Sequence, residues 1–160
     1  EYDNAQNEQQ AAAIKQILQL FGISGDTADE NFQKEIGHTR VSFWDCPLNR
    51  DYAERLRSDN LPLTEAKSEN RINRIAGTAD PSQTERVPAG AQFDFKLTVK
   101  QFDGDEETLL DTLLQGLKLL EWDSLGGNGS RGYGKVAFTA ITRNGEDISS
   151  CFAAIQPFAK

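Results

Sequence analysis

The sequence predicts an α+β sandwich, with helices on one face of an antiparallel sheet. Three observations carry this. An amphipathic helix opens the readable pattern, one central segment alternates apolar and polar residues, and the later elements run strand, helix, strand, strand. With 160 residues and 17.7 kDa, the chain is long enough for one domain with its own core. Apolar residues at 38% and charged residues at 26% fit a soluble globular protein. No segment approaches the ~20 apolar residues of a membrane span.

Ala5 to Phe21 reads as a helix, because Ile14, Ile17, Leu18 and Phe21 share one face and Gly22 suits a left-handed C-terminal cap. Residues 22–37 read as a loop. Thr39–Asp45 reads as a short strand, with Val41, Phe43 and Asp45 on one side and Ser42 and Trp44 on the other. Asn49–Leu63 has no clear period and reads as a loop with room for one helical turn. The stretch from about 64 to 90 is poor in apolar residues and longer than the ~12–15 residues of an ordinary connection, which makes it a projecting hairpin or arm.

Ala91–Phe102 alternates best, with Phe93, Phe95, Leu97 and Val99 facing Asp94, Lys96, Thr98 and Lys100 across the strand. Glu106–Glu121 reads as a helix with Leu110, Leu113, Leu114 and Leu117 as its buried stripe, and the carboxylates of Asp105–Glu107 suit its N-terminus. A glycine-rich loop follows, then a strand at Lys135–Thr142, a turn at Asn144-Gly145 and a last strand near Cys151–Phe158.

The net charge of −8 argues against a nucleic-acid partner only on average. Residues 1–35 carry 2 basic and 7 acidic side chains and residues 103–124 carry 1 and 7, while 36–102 carry 10 and 9 and 125–160 carry 4 and 2. The deficit sits in two segments, and the remainder is slightly positive. Cys46 and Cys151 are too few for a disulfide scaffold and lack zinc-site spacing, so a reducing, cytoplasmic setting is expected. Nothing in Glu1–Asn7 resembles a signal sequence, and no methionine occurs even at position 1, so the chain reads as the downstream part of a longer frame.

Five of the 13 glycines fall between Gly126 and Gly134. Gly127, Gly129 and Gly132 satisfy GxGxxG, and Gly129 to Lys135 satisfies GxxxxGK, with Val136 in place of the Ser or Thr that would hold magnesium. Both motifs need a strand before the loop and a helix after it, and here the order is reversed. Two readings remain: a turn with permissive dihedrals, or an anion-binding concavity of amides to which Ser130, Arg131, Gly132, Tyr133 and Lys135 add charge and stacking for RNA. The second is preferred. His38 is the only histidine, which excludes a two-histidine ribonuclease pair within these residues, and no GxSxG elbow exists. In the arm, Lys67, Arg71, Arg74 and Arg86 alternate with acids, as a solvated, compensated surface would. The run Asn70-Arg71-Ile72-Asn73-Arg74 tilts the reading toward phosphate and base contact.

Taken together, Lys67-Ser68-Glu69-Asn70-Arg71-Ile72-Asn73-Arg74, Thr78-Ala79-Asp80-Pro81, Glu85-Arg86-Val87-Pro88-Ala89-Gly90 and Leu125-Gly126-Gly127 through Lys135-Val136 resemble the RAMP superfamily of CRISPR-associated proteins. More narrowly, they are similar to the repeating backbone subunit of type III-A effector complexes. Leu20-Phe21-Gly22 and Arg40-Val41-Ser42-Phe43-Trp44-Asp45 fit as well, so the resemblance covers the whole chain, 1–160, as a partial RAMP domain with the arm inserted at about 64–90. It implies an RRM-like, ferredoxin-like fold stacked along a guide CRISPR RNA, with target RNA, neighbouring copies and other effector-complex subunits as partners and no membrane. The arm would be the family's thumb. RNA contacts are implied for Lys67, Asn70, Arg71, Arg74, Arg86 and the Ser130–Lys135 loop.

The family also cleaves target RNA with a metal-dependent aspartate on a loop near its N-terminus. That loop, a first strand and a first basic helix are expected upstream of Glu1. No catalytic residue is therefore assigned, no cofactor is expected in this part, and magnesium is implied only for the complete protein. Ser82 follows Pro81 where the pattern leads to a basic residue. Two rivals stand beside this reading: a RAMP endoribonuclease that processes precursor RNA, with His38 as general acid or base, and a non-catalytic assembly scaffold.

Overall fold

A computed structural model describes residues 8–26 and 29–158. Its elements are α1 (Glu8–Phe21), α2 (Glu30–Ile36), β1 (Val41–Phe43), α3 (Arg50–Ser58), β2 (Glu65–Asn73), β3 (Thr78–Arg86), β4 (Leu97–Val99), α4 (Leu109–Trp122), a 3-10 turn at Gly129–Arg131, β5 (Thr142–Arg143), β6 (Glu146–Asp147) and α5 (Ser149–Ala153). Helices and antiparallel strands mix, as the α+β expectation has it. The described strands pair as three two-stranded ribbons, β1 with β4, β2 with β3 and β5 with β6, rather than as one continuous sheet. The chain divides into two compact units, Glu1–Ser42 with Thr98–Lys160, and Phe43–Leu97.

The first unit holds every buried hydrophobic side chain among the described residues: Leu20, Ile36, Val41, Leu109, Leu113, Tyr133 and Phe152. α1 forms where the apolar spacing predicts, but the side chains it buries are Gln16 and Leu20, while Ile17 and Phe21 of the expected face are exposed. It ends with the Gly22 N–H donating to the Leu18 carbonyl; residues 5–7 of the expected helix lie outside the described residues. α2 replaces part of the expected 22–37 loop. It is nucleated by Asp29, whose carboxylate accepts from the Asn31 and Phe32 amides at 2.9 Å, and its Ile36 is buried. Lys15 on α1 pairs with Glu35 on α2 at 3.1 Å.

α4 forms where its leucine stripe predicts, but Asp105–Glu107 do not cap it. Thr108 is the N-cap and makes no side-chain cap bond. The Asp105 carboxylate instead grips Arg40, from Nη2 at 2.8 Å and Nε at 3.2–3.3 Å, and also accepts the Phe102 amide at 2.9 Å. The two side chains are 2% and 8% exposed. Arg40 also donates to the Ile36 and His38 carbonyls and lies 5.0 Å from the Phe102 ring centroid. The Arg40 hydrogen bonds hold the Asp105 carboxyl below the usual carboxylate range despite the opposing push of burial. Glu106 accepts from Gln16, a buried residue of α1, which links α1 to the entrance of α4.

The expected strand at Lys135–Thr142 shortens to Thr142–Arg143, because side chains take its amides. The Phe138 N–H donates to the Glu121 carboxylate at 2.6 Å and the Ile141 N–H to the Ser149 hydroxyl at 3.0 Å. Asn144 and Gly145, with φ of 52° and 89°, make the predicted tight turn between β5 and β6. The expected last strand near Cys151–Phe158 is replaced by α5. Its Phe152 is buried edge-on against the Phe138 ring at 6.0 Å, with the Lys118 ammonium 4.9 Å from the Phe152 ring centroid.

The second unit has no fully buried side chain among its residues. The expected Asn49–Leu63 loop contains α3, started by Asn49, which accepts the Tyr52 amide at 3.1 Å, and braced by the Arg50–Glu54 pair at 3.0 Å. The expected strand Ala91–Phe102 contributes only Leu97–Val99 as regular ladder. Trp44 donates to the Lys96 carbonyl, yet Leu48 bridges Phe93, so the pairing slips by one residue and Asp45 and Cys46 both oppose Phe95. The bulge ends the regular ladder beyond Trp44, and Phe43, Phe93 and Phe95 are exposed.

Candidate nucleic-acid interface

The arm is an antiparallel hairpin of two nine-residue strands in full register, from Glu65 opposite Arg86 to Asn73 opposite Thr78. Its turn is tied by Asn73, whose side-chain oxygen accepts from the Ile75 and Ala76 amides at 3.0 and 3.1 Å. Pro81 is tolerated because β3 is an edge strand. The period of two sorts its residues sharply. Glu65, Lys67, Glu69 and Arg71 share a face with Asp80 and Arg86, whereas Ala66, Ser68, Asn70 and Ile72 share the other with Ala79, Pro81 and Gln83.

The four predicted arm cations differ in state. Arg86 pairs with Glu65 at 2.6 Å and Lys67 with Glu69 at 3.3 Å, both near the base. Among the described residues, neither Arg71 nor Arg74 has an ion-pair partner. They line an open concavity at the tip with Ile72, Asn73, Ile75 and Asp80, where Ile75 is fully exposed. Asn70 is exposed on the uncharged face. Elsewhere in this unit the Lys96 ammonium lies 4.6 Å from the Trp44 ring centroid, a contact that only the β1–β4 pairing creates.

The glycine loop, in the other unit, is a closed and ordered structure. The Leu125 N–H donates to the Gly134 carbonyl at 2.8 Å and closes its base. Gly134, at φ 72°, sits so close that a Cβ there would strike the Leu125 carbonyl. Inside the loop the Arg131 and Gly132 amides donate to the Asn128 and Gly129 carbonyls, so two of the amides expected to cradle an anion are already used. Ser130, Arg131 and Gly132 face solvent. Two residues of the loop have partners or packing within the fold. Tyr133 is 8% exposed and serves the core, so its ring is not offered for stacking. Lys135 is drawn to the C-terminal end of α4, where its ammonium donates to the Trp122 carbonyl at 3.1 Å and to that of Asp123, as the helix dipole favours. Below the loop, burial raises Glu121 but hydrogen bonds from Lys118 and the Phe138 amide outweigh it, leaving its pKa lowered.

His38 is exposed, its ring 6.4 Å from Phe102, and it has no hydrogen-bonded carboxylate to orient it among the described residues. No group of three or more His, Cys, Asp or Glu side chains among the described residues is arranged to hold a metal ion. No helix among them is long and apolar enough to cross a membrane. Sequence reasoning missed Ser68 and Gln83, which touch across the arm at 3.3 Å; the period-two pattern marks them only when the register is known.

A family model described as the RAMP superfamily matches residues 3–137. The CRISPR system Cms endoribonuclease Csm3 of Streptococcus thermophilus is 50% identical over 129 residues, covering 78% of this chain and 54% of the relative. The protein of the same name from Enterococcus italicus is 35% identical over 125 residues, covering 77% and 55%. That of Methanothermobacter thermautotrophicus is 46% identical over 84 residues, covering 52% and 34%. The chain thus spans about half the length, or less, of these relatives. The matched span takes in both the arm and the glycine loop, and on that match the chain belongs to the RAMP superfamily.

Proposed function

We propose that this chain is the RNA-binding part of a type III-A CRISPR backbone subunit, working in the cytoplasm. The arm acts as its thumb, and the solvent-facing Ser130–Gly132 segment adds to the guide-facing surface. The observation that carries this reading is the arm tip, where the guanidinium groups of Arg71 and Arg74 have no ion-pair partner among the described residues and lie beside a fully exposed Ile75. Exposed guanidinium groups that no carboxylate has claimed stay available for a ligand, and phosphate, which they meet with paired N–H donors, is their natural complement. Arg86, paired with Glu65 across the ladder, braces the base of the arm, and Lys67 is neutralised by Glu69 on its own strand, so both contact RNA only second.

The wider reading includes a ferredoxin-like sheet in the complete protein, contacts with target RNA, with further copies of the subunit and with other subunits of the complex. Target-RNA cleavage with magnesium belongs to it too, and no residue of this chain is assigned to that step. In the full chain, Arg71→Ala with Arg74→Ala should weaken guide-RNA binding about tenfold or more, and flatten the plot of log affinity against log salt by about one unit per lost phosphate contact. Unchanged affinity at moderate salt would remove the assignment.

A further inference from the structure

The two faces of the arm are chemically unlike, and this carries an inference about how RNA meets it. It rests on the reading that the arm binds RNA. Along the ladder every ionised side chain except Glu85 lies on one face, and at the base those charges are spent on one another through Glu65–Arg86 and Lys67–Glu69. That face is half-buried at Glu65, Lys67 and Glu69, whereas Ala66, Ser68 and Asn70, which alternate with them, are exposed. The exposed face has small residues and neutral hydrogen-bonding groups: Ser68, Asn70 and Gln83, with Ile72 beyond them toward the tip. Glu85, the exception, sits at the base and is engaged by the Thr64 hydroxyl.

We propose that the uncharged face of the arm lies against the sugar and base-edge side of an RNA strand, with Ser68, Asn70 and Gln83 meeting 2′-hydroxyls and base edges while Arg71 and Arg74 reach phosphates from the tip. A face without cations gains nothing from phosphate, and flat, small, neutral donors and acceptors match the 2′-hydroxyl surface that distinguishes RNA. A protein partner fits less well, because protein interfaces draw on large aromatic or aliphatic anchors and this face offers only Ile72, at its far end. Small side chains also permit the close backbone approach that a groove surface needs.

The test uses the full chain and a guide-length RNA, alongside the same strand with 2′-deoxy sugars. Asn70→Ala with Gln83→Ala should weaken RNA binding about tenfold, leave the salt slope unchanged and narrow the preference for RNA over the 2′-deoxy strand. Lys67→Ala should weaken binding by a smaller factor than the Asn70 and Gln83 double change, since its charge is already shared with Glu69. Far-ultraviolet circular dichroism confirms that the variants stay folded, and Asn70→Asp provides a second, nearly isosteric change expected to weaken binding by adding charge against the strand.

Three results overturn the proposal. One is a neutral-face variant with full affinity while Arg71→Ala with Arg74→Ala remains weak, which leaves the arm an RNA binder through its tip alone. Another is a Lys67→Ala loss larger than the Asn70 and Gln83 loss, which puts the charged face against RNA. The last is full RNA affinity with lost subunit association, which makes the neutral face a protein contact. Failure of Arg71→Ala with Arg74→Ala to weaken binding would instead count against the RNA-binding reading itself.

Discussion

Arg40 donates five hydrogen bonds while almost fully buried. Deleting its partner strands a buried guanidinium, so Asp105→Ala should cost about 3–5 kcal/mol of stability in urea unfolding. Its pH dependence has a definite sign. The folded carboxyl is held below its ordinary range, so its contribution is complete above that range and is lost as pH falls through the depressed value. Asp105→Asn should therefore be less stable than the parent at pH 7, with the gap closing below about pH 4. At Gly134, where a Cβ would meet the Leu125 carbonyl and φ is positive, Ala should cost about 1–3 kcal/mol and open the loop base, seen as faster exchange of the Leu125 amide. Neither feature was legible beforehand: Arg40 and Asp105 are 65 residues apart, and no local pattern pairs them. The sequence marked Tyr133 and Lys135 by their neighbours, but burial and the end of α4 had the stronger claim on them.

At the level of elements, long periodic segments were readable and short ones were not. α1 and α4 announced themselves through repeated leucines and isoleucines, and the arm through its length and lack of apolar residues. α2 and α3 have seven and nine residues, too short for a period, and exist by virtue of their caps. Asp29→Ala should therefore cost about 1 kcal/mol, and Asn49→Ala a similar amount, with a loss of helical circular dichroism confined to a few residues. The strands expected at Lys135–Thr142 and Cys151–Phe158 failed for another reason. Alternation shows that a segment is extended, but only a partner's free amides and carbonyls make it a ladder. In the first segment Glu121 and Ser149 take the Phe138 and Ile141 amides, and in the second the Phe152 and Ala154 amides turn back onto the Ile148 and Ser150 carbonyls as α5. The arm's division into a charged and a neutral face was present in the sequence from the outset. It became visible only once Glu65 was known to oppose Arg86, because one slipped residue would have mixed the two sets.

For the whole molecule, charge and core divide along the same line. Phe43–Leu97 carries 8 basic and 9 acidic side chains, while the remainder carries 9 and 16, so the acidic excess lies almost wholly in the unit that also owns the hydrophobic core. The unit that carries the arm is nearly neutral and has no buried side chain among its residues. Its backbone should open more readily than the rest. Hydrogen exchange should find the amides of Glu65–Arg86 exchanging faster than those of α1 and α4, and RNA should slow the arm while leaving α4 unchanged. Protection spread evenly over both units would contradict this division. The bulged ribbon adds an architectural consequence. Phe43 and Leu97, the first and last residues of the second unit, sit on adjacent paired strands, so the chain departs and returns at one doorway. Because the entropy of closing a loop grows only logarithmically with its length, the first unit is nearly indifferent to how many residues pass through that doorway. Lineages could lengthen, trim or exchange the arm-bearing excursion while the cored body kept its architecture, which makes this the natural place for such a protein to vary its reach.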